Sequence, residues 1–170
     1  MFDGTPSQTA GPFLQIGMHW EQGAFIVPAE TAEGVWLRGH IFDGAGVAIP
    51  DAAVEIWQAD PAGCLGSKDR WLGFGRSETA EGEFAFYTVV PGSFDGQAPH
   101  LGVAVFARGL LRQVWTRIYF PEHRAAQARD PILALVPDER RATLIAERTS
   151  QGYRFDIRLQ GPLETVFFDV

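Results

Sequence analysis

The chain has 170 residues, 46% of them hydrophobic and 21% charged, and carries a net charge of −7. A field of that sign repels nucleic acid and anionic membrane surfaces, and the longest apolar stretch, near 101–111, is broken by Arg108 and too short to span a bilayer. The single cysteine, Cys64, excludes an internal disulfide, and no basic segment precedes an apolar one at the N-terminus; both point to the cytoplasm.

Short apolar and β-branched runs recur between glycine and proline breakers. In chain order they predict strands over 12–18, 35–43 and 52–58, the second ended by Asp43-Gly44. The stretch 59–75 is glycine-rich and aperiodic, which predicts a functional or interface loop. A strand over 83–89 follows Glu81-Gly82 and stops at Pro91-Gly92; further strands are predicted over 101–107 and 113–120. Two helical windows come next, 122–129 and 137–142, the latter opened by Pro137. Runs over 143–149 and 153–160 predict a hairpin closed by Ser150-Gln151-Gly152, and a last strand is predicted over 165–169. The pattern is that of an all-β protein: one β-sandwich domain over 1–170, mostly antiparallel, with one or two short helices. Thirteen Phe and five Trp give it much flat apolar surface to bury, inside or against a partner.

Most catalytic signatures are absent. Gly73-Phe74-Gly75 is a lone G-x-G without the third glycine or the helix of a dinucleotide site, and there is no C-x-x-C, H-E-x-x-H or G-x-S-x-G. His19, His40, His100 and His123 are not clustered, and hydrogen-bonded surface roles suit His40 and His123. His100 differs, because Pro99 precedes it and an apolar strand follows, which is how a metal-ligating imidazole is often presented. The next position on the same strand face is Gly102.

Three stretches, TPSQTAGPF (5–13), VEIWQAD (54–60) with GEFAFYTVVPG (82–92), and APHLGVAVFARG (98–109), resemble the intradiol ring-cleaving dioxygenases. TRIYF (116–120), RRATLIA (140–146) and YRFDIRLQGPLETVFFDV (153–170) resemble the α rather than the β chains of the family's two-chain members, and the likeness covers nearly the whole length. The resemblance implies non-haem Fe(III) held by two tyrosinates and two histidines, hard donors suited to that charge. It also implies a catechol-type aromatic acid opened by dioxygen.

Carried over position by position, the tyrosines fall on Leu65 and Phe94, the histidines on His100 and Gly102, and an arginine before the pair falls near Gln97. Leu, Phe and Gly offer no donor, and a lone imidazole does not hold Fe(III) against water and hydroxide. The expectation is a chain without its own iron or catalytic residue, with His100 a vestigial ligand position. Fe(III) is expected on a homologous β subunit, where the aromatic acid and O2 meet, in a higher (αβ)n assembly with no nucleic acid or membrane partner. The resemblance further implies that an arm over 1–18 packs on that subunit and lines its pocket through Thr9, Gly11, Pro12 and Phe13, where many relatives carry Tyr at the last position. Gly11 suits close backbone approach, Pro12 stiffens the arm and Phe13 can stack on a ring. Arg117 is expected at the mouth of the same pocket, as a forked donor for a carboxylate. Glu55, Asp60 and Arg76 are read as structural. Two alternatives stand beside this: a homo-oligomer holding iron through Tyr87, Tyr119 or Tyr153, and a non-catalytic sandwich that only binds.

Overall fold

The structure, a computed structural model, describes residues 4–9, 11, 17–66, 72–79 and 82–169. Most of the strand expected over 12–18 lies outside them, as do Pro12 and Phe13. The strands are β1 (Val35–Phe42), β2 (Ala53–Trp57), β3 (Phe74–Glu78), β4 (Glu83–Thr88), β5 (His100–Phe106), β6 (Val114–Tyr119), β7 (Glu147–Thr149), β8 (Gly152–Arg154) and β9 (Ile157–Arg158). Two short helices, α1 (Arg124–Gln127) and α2 (Asp138–Arg141), lie between β6 and β7.

One sheet has the order β4-β1-β8-β7, with β9 also on β1; the other has the order β3-β2-β5-β6. Pairing is antiparallel except where β8 and β9 run parallel to β1. Side chains alternate faces along a strand, so Leu37, Ile41, Phe84 and Phe86 of the first sheet meet Val54, Ile56, Val103, Val105 and Ile118 of the second in one buried cluster. This is the sandwich core that the alternation in the sequence called for.

The C-terminal third departs from the expected strands. Residues Ala142–Leu144 form a 3-10 turn instead of a strand start, because Leu144 turns into a second cluster with Tyr119, Leu133 and Val136. The run 153–160 is split into β8 and β9 at Phe155-Asp156, where the Asp156 carboxylate accepts the His40 backbone N–H at 3.1 Å. The run 165–169 contributes one bridge, Trp115 to Phe168. Strand β3 ends the stretch read as loop. Its Gly75 resembles a breaker, but the Ile26 side chain and Gly23 carbonyl fill the space a Cβ there needs.

The segment between β6 and β7 lies against the Tyr119 end of β6 through this second cluster. Asp130, almost fully buried, ties it down: its carboxylate accepts N–H groups from Ala98, Ile132 and Leu133, each at 2.8 Å. That fixes the entry to β5 just before His100.

Candidate functional site

Strand register builds the site on the outer face of the second sheet. Phe74 lies opposite Trp57, Trp57 opposite Gly102, and Gly102 opposite Arg117; one row along come Arg76, Glu55, Ala104 and Trp115, and His100 faces Tyr119. Their neighbours in sequence point into the core, so alternation sends these side chains outward. Trp20, Phe74, Trp57 and Trp115 form an aromatic row with ring centroids 6.0, 5.0 and 5.4 Å apart.

At one end of this face is a cavity of about 260 Å³. Gly102, His100 and Arg117 come from the sheet, Trp57 closes one side, and Leu65 and Phe94 come from two loops. The loops are locked together by Asp60. Its carboxylate accepts the N–H groups of Ala62 and Cys64 at 2.9 and 2.8 Å, while its carbonyl accepts those of Gly63 and Gly92, each at 2.9 Å. Both glycines are required by the close approach: a Cβ on Gly63 would strike the Ser93 carbonyl, and one on Gly92 would strike Gly63 and Pro61. Buried Gln58 ties the end of β2 to the end of β4 in the other sheet, donating to the Val89 carbonyl at 2.9 Å and accepting from Thr88 at 2.6 Å.

His100 Nδ1 lies 2.8 Å from the Ala98 carbonyl. A carbonyl only accepts, so Nδ1 carries the proton and Nε2 is left as an acceptor. Burial lowers the His100 pKa below its ordinary 6.5; the bond to Ala98 opposes this and the Arg117 charge adds to it. The ring is therefore a neutral imidazole at pH 7. Arg117 Nη1 donates to Gln97 Oε1 at 2.7 Å and to the Tyr119 hydroxyl at 3.3 Å, and its guanidinium lies 5.8 Å from the Phe168 ring centroid. These partners are neutral, and among the described residues no ion pair engages Arg117.

The four positions matched to family iron ligands, Leu65, Phe94, His100 and Gly102, thus converge on one cavity, with Gln97 beside them. Three of the four present hydrocarbon or nothing, so the donor set does not fit Fe(III). The other tyrosines do not supply the missing donors. Tyr87 donates to the Thr31 carbonyl at 3.0 Å, and Tyr153 is buried in the core cluster with its hydroxyl on the Glu122 carboxylate. Tyr119 packs on His100 at 5.5 Å between ring centroids, but it is fully buried, its hydroxyl accepts from Arg117, and it does not line the cavity. Among the described residues no group of three or more His, Cys, Asp or Glu is placed to hold a metal.

Of the expected pocket residues, Thr9, Gly11 and Arg117 are among the described residues, and Pro12 and Phe13 lie outside them. Thr9 Oγ1 accepts the Gly109 N–H at 3.2 Å and the Gly11 N–H at 3.3 Å, past the far end of β5 from His100. Arg117, expected at a partner's pocket, lines this chain's own cavity. Glu55 and Arg76 form the structural pair expected of them, with contacts of 2.8 and 2.6 Å, and Arg76 also reaches the Met18 carbonyl. Sequence reasoning passed over Trp57 and Phe74. The signal was there for Trp57: in VEIWQ it falls out of phase with the core positions Val54 and Ile56.

No protein-family model matches the chain. The protocatechuate 3,4-dioxygenase alpha chain of Burkholderia cepacia is 42% identical, covering 98% of this chain and 97% of that one. The alpha chain of the same name from Pseudomonas putida is 38% identical over 97% and 96%. The Burkholderia cepacia beta chain is 31% identical over 76% of this chain and 65% of its own length. Among solved structures, the dioxygenase domain of a dioxygenase–carbohydrate-binding fusion from Streptomyces sp. SirexAA-E superposes with a TM-score of 0.61 at 23% identity, covering 96% of this chain and all of that one. Hydroxyquinol 1,2-dioxygenase from Pseudomonas putida DLL-E4 gives 0.64 at 14% identity, over 93% of this chain and 62% of that one. At such identities the structural likeness concerns the fold.

Proposed function

The chain belongs to the protocatechuate 3,4-dioxygenase alpha chains, within the intradiol ring-cleaving dioxygenases, and from this we propose that it works as the subunit without iron in an α–β enzyme. That enzyme opens protocatechuate between its hydroxyl-bearing carbons with O2, giving 3-carboxy-cis,cis-muconate. The observation that carries the reading is the convergence of Leu65, Phe94, His100 and Gly102 on one cavity with a single metal donor among them. Fe(III) and the chemistry it supports then reside on a homologous beta chain, a type of chain that this sequence also matches.

This chain's task is to bind that subunit and complete its pocket. The aromatic row gives the pairing a physical basis: Trp20 and Trp57 are each more than a third exposed beside the exposed Leu65 and Leu72. Aromatic side chains of this kind are enriched in protein interfaces. The arm bearing Thr9, Gly11, Pro12 and Phe13 is proposed to reach the partner's substrate. Arg117 is proposed to stand at the mouth of the same pocket; the contacts described for it lie inside this chain. No helix among the described residues is long and apolar enough to cross a membrane, and the exposed free Cys64 suits a reducing cytoplasm.

Co-expression with a beta-type chain tests the reading. The expected result is a coloured complex with one iron per α–β pair that consumes protocatechuate and O2, while the chain purified alone holds no stoichiometric iron. One iron per chain in the lone preparation overturns it in favour of a self-sufficient homo-oligomer. A Phe13→Ala complex with unaltered turnover removes the role of the arm.

A further inference from the structure

The cavity that lacks iron donors keeps the features of a binding site, and two of its walls, Trp57 and Leu65, border the proposed pairing surface. Three of its walls are apolar and largely flat: the Trp57 indole, the Phe94 ring and the Leu65 side chain. Gly102 leaves its floor low, since a Cβ there would meet only the Trp57 carbonyl, at 3.7 Å. Against these walls stand two polar groups of different character. Arg117 is a fixed cation whose described partners are the neutral Gln97 and Tyr119 oxygens. His100 presents one free acceptor, Nε2, because Nδ1–H is spent on the Ala98 carbonyl.

A partly dehydrated guanidinium whose hydrogen-bond partners are neutral favours an anion, the nearby buried Asp130 carboxylate being engaged by three backbone N–H groups, and its planar fork suits a carboxylate. A lone imidazole acceptor favours a hydroxyl donor. Arg117 lies opposite Gly102, two residues along from the position opposite His100. Such diagonal neighbours have backbones about 7–8 Å apart, so both side chains border the same cavity. The volume of about 260 Å³ lies just under the ~300–1,000 Å³ of pockets for drug-sized ligands, which suits a single ring.

We propose that this cavity is a second, non-catalytic binding site for a small hydroxylated aromatic monocarboxylate. The carboxylate pairs with Arg117, the ring lies between Trp57 and Phe94, and the hydroxyl donates to His100 Nε2. No bond is made or broken there; the site holds the ligand and releases it unchanged.

Isothermal titration of 4-hydroxybenzoate into the full chain, and into its complex with an iron-bearing partner, tests this. One saturable site per chain is expected in the lone protein. Gly102→Leu, which fills the floor, abolishes it and removes one site per pair from the complex while leaving protocatechuate turnover intact. Arg117→Gln weakens binding by at least about tenfold, the effect of losing one charge-assisted hydrogen bond, and phenol, without the carboxylate, binds weakly to the parent. Circular dichroism and melting report whether Gly102→Leu folds; if it does not, Arg117→Gln carries the test. The proposal is overturned if the full chain shows no saturable binding, if either folded variant binds as the parent does, or if phenol binds as well as 4-hydroxybenzoate.

Discussion

At Gly102 one of the three absent iron donors is a missing side chain in a place with room for one. The triple variant Leu65→Tyr, Phe94→Tyr, Gly102→His returns a phenolate–imidazole donor set to positions that already share a cavity. It is expected to take up ferric iron with a visible charge-transfer band that the parent lacks, and an unchanged spectrum with unchanged metal content counts against the ligand assignment. A different residue pair bears on stability. Arg76 lies against the buried Glu55 carboxylate, with side chains 24% and 9% exposed. Arg76→Ala strands that charge and is expected to cost about 3 kcal/mol, the low end for a broken buried pair because the arginine side reaches solvent. Urea unfolding measures it. The structural roles of Glu55 and Asp60 were legible in sequence, as was the place of His100 at the start of a strand, because each sits inside a motif of fixed spacing. The place of Arg117 was not, because alternation along β6 tells its face but not which loop lies over it.

Strand pairing carries the next set of consequences. Gly39 in β1 lies where the chain between β8 and β9 crosses it; a Cβ would strike the Phe155 carbonyl and the Phe84 ring at 2.8 Å. Gly39→Ala is expected to destabilise by about 4 kcal/mol or more, because backbone on one side leaves nowhere to relax. A fall in the urea midpoint of that size, or loss of soluble protein, is the readout. Asp60→Ala removes the one carboxylate oxygen that accepts two N–H groups of the loop that carries Leu65 and is expected to cost about 1–2 kcal/mol. The expected signature is loosened hydrogen exchange at Ala62 and Cys64. Strands β1, β2, β4, β5 and β6 were legible because each alternates or is rich in β-branched residues over at least five positions. Strand β3 was hidden by Gly75, whose small size serves Ile26, and the C-terminal strands are short because Leu144 and Asp156 answer to long-range contacts that no local pattern shows.

The whole molecule is bounded in pH by rings buried in their neutral forms. His100 has its pKa held below 6.5 by burial. The unfolded chain therefore binds more protons, and this contribution to stability is complete above pH 6.5 and lost as pH falls below it. Tyr119 and Tyr153 are raised by burial from 10.0 to about 12. There the folded chain binds more protons, so their contribution is complete below pH 10 and lost as pH rises toward 12. Denaturant midpoints measured from pH 5 to 11.5 are expected to show a plateau between these limits. His100→Gln flattens the acid slope and Tyr119→Phe the alkaline one; slopes unchanged by either exchange assign the limits to other groups. The sandwich was legible at this scale, since many short strands with glycine and proline turns leave few other solutions. The indoles of Trp57 and Trp115, 5.4 Å apart and inclined at 37°, are close enough for their electronic transitions to couple. The chain therefore has a built-in optical reporter in the far ultraviolet, whose dichroic couplet will alter whenever a guest ring or a neighbouring protein settles over Trp57.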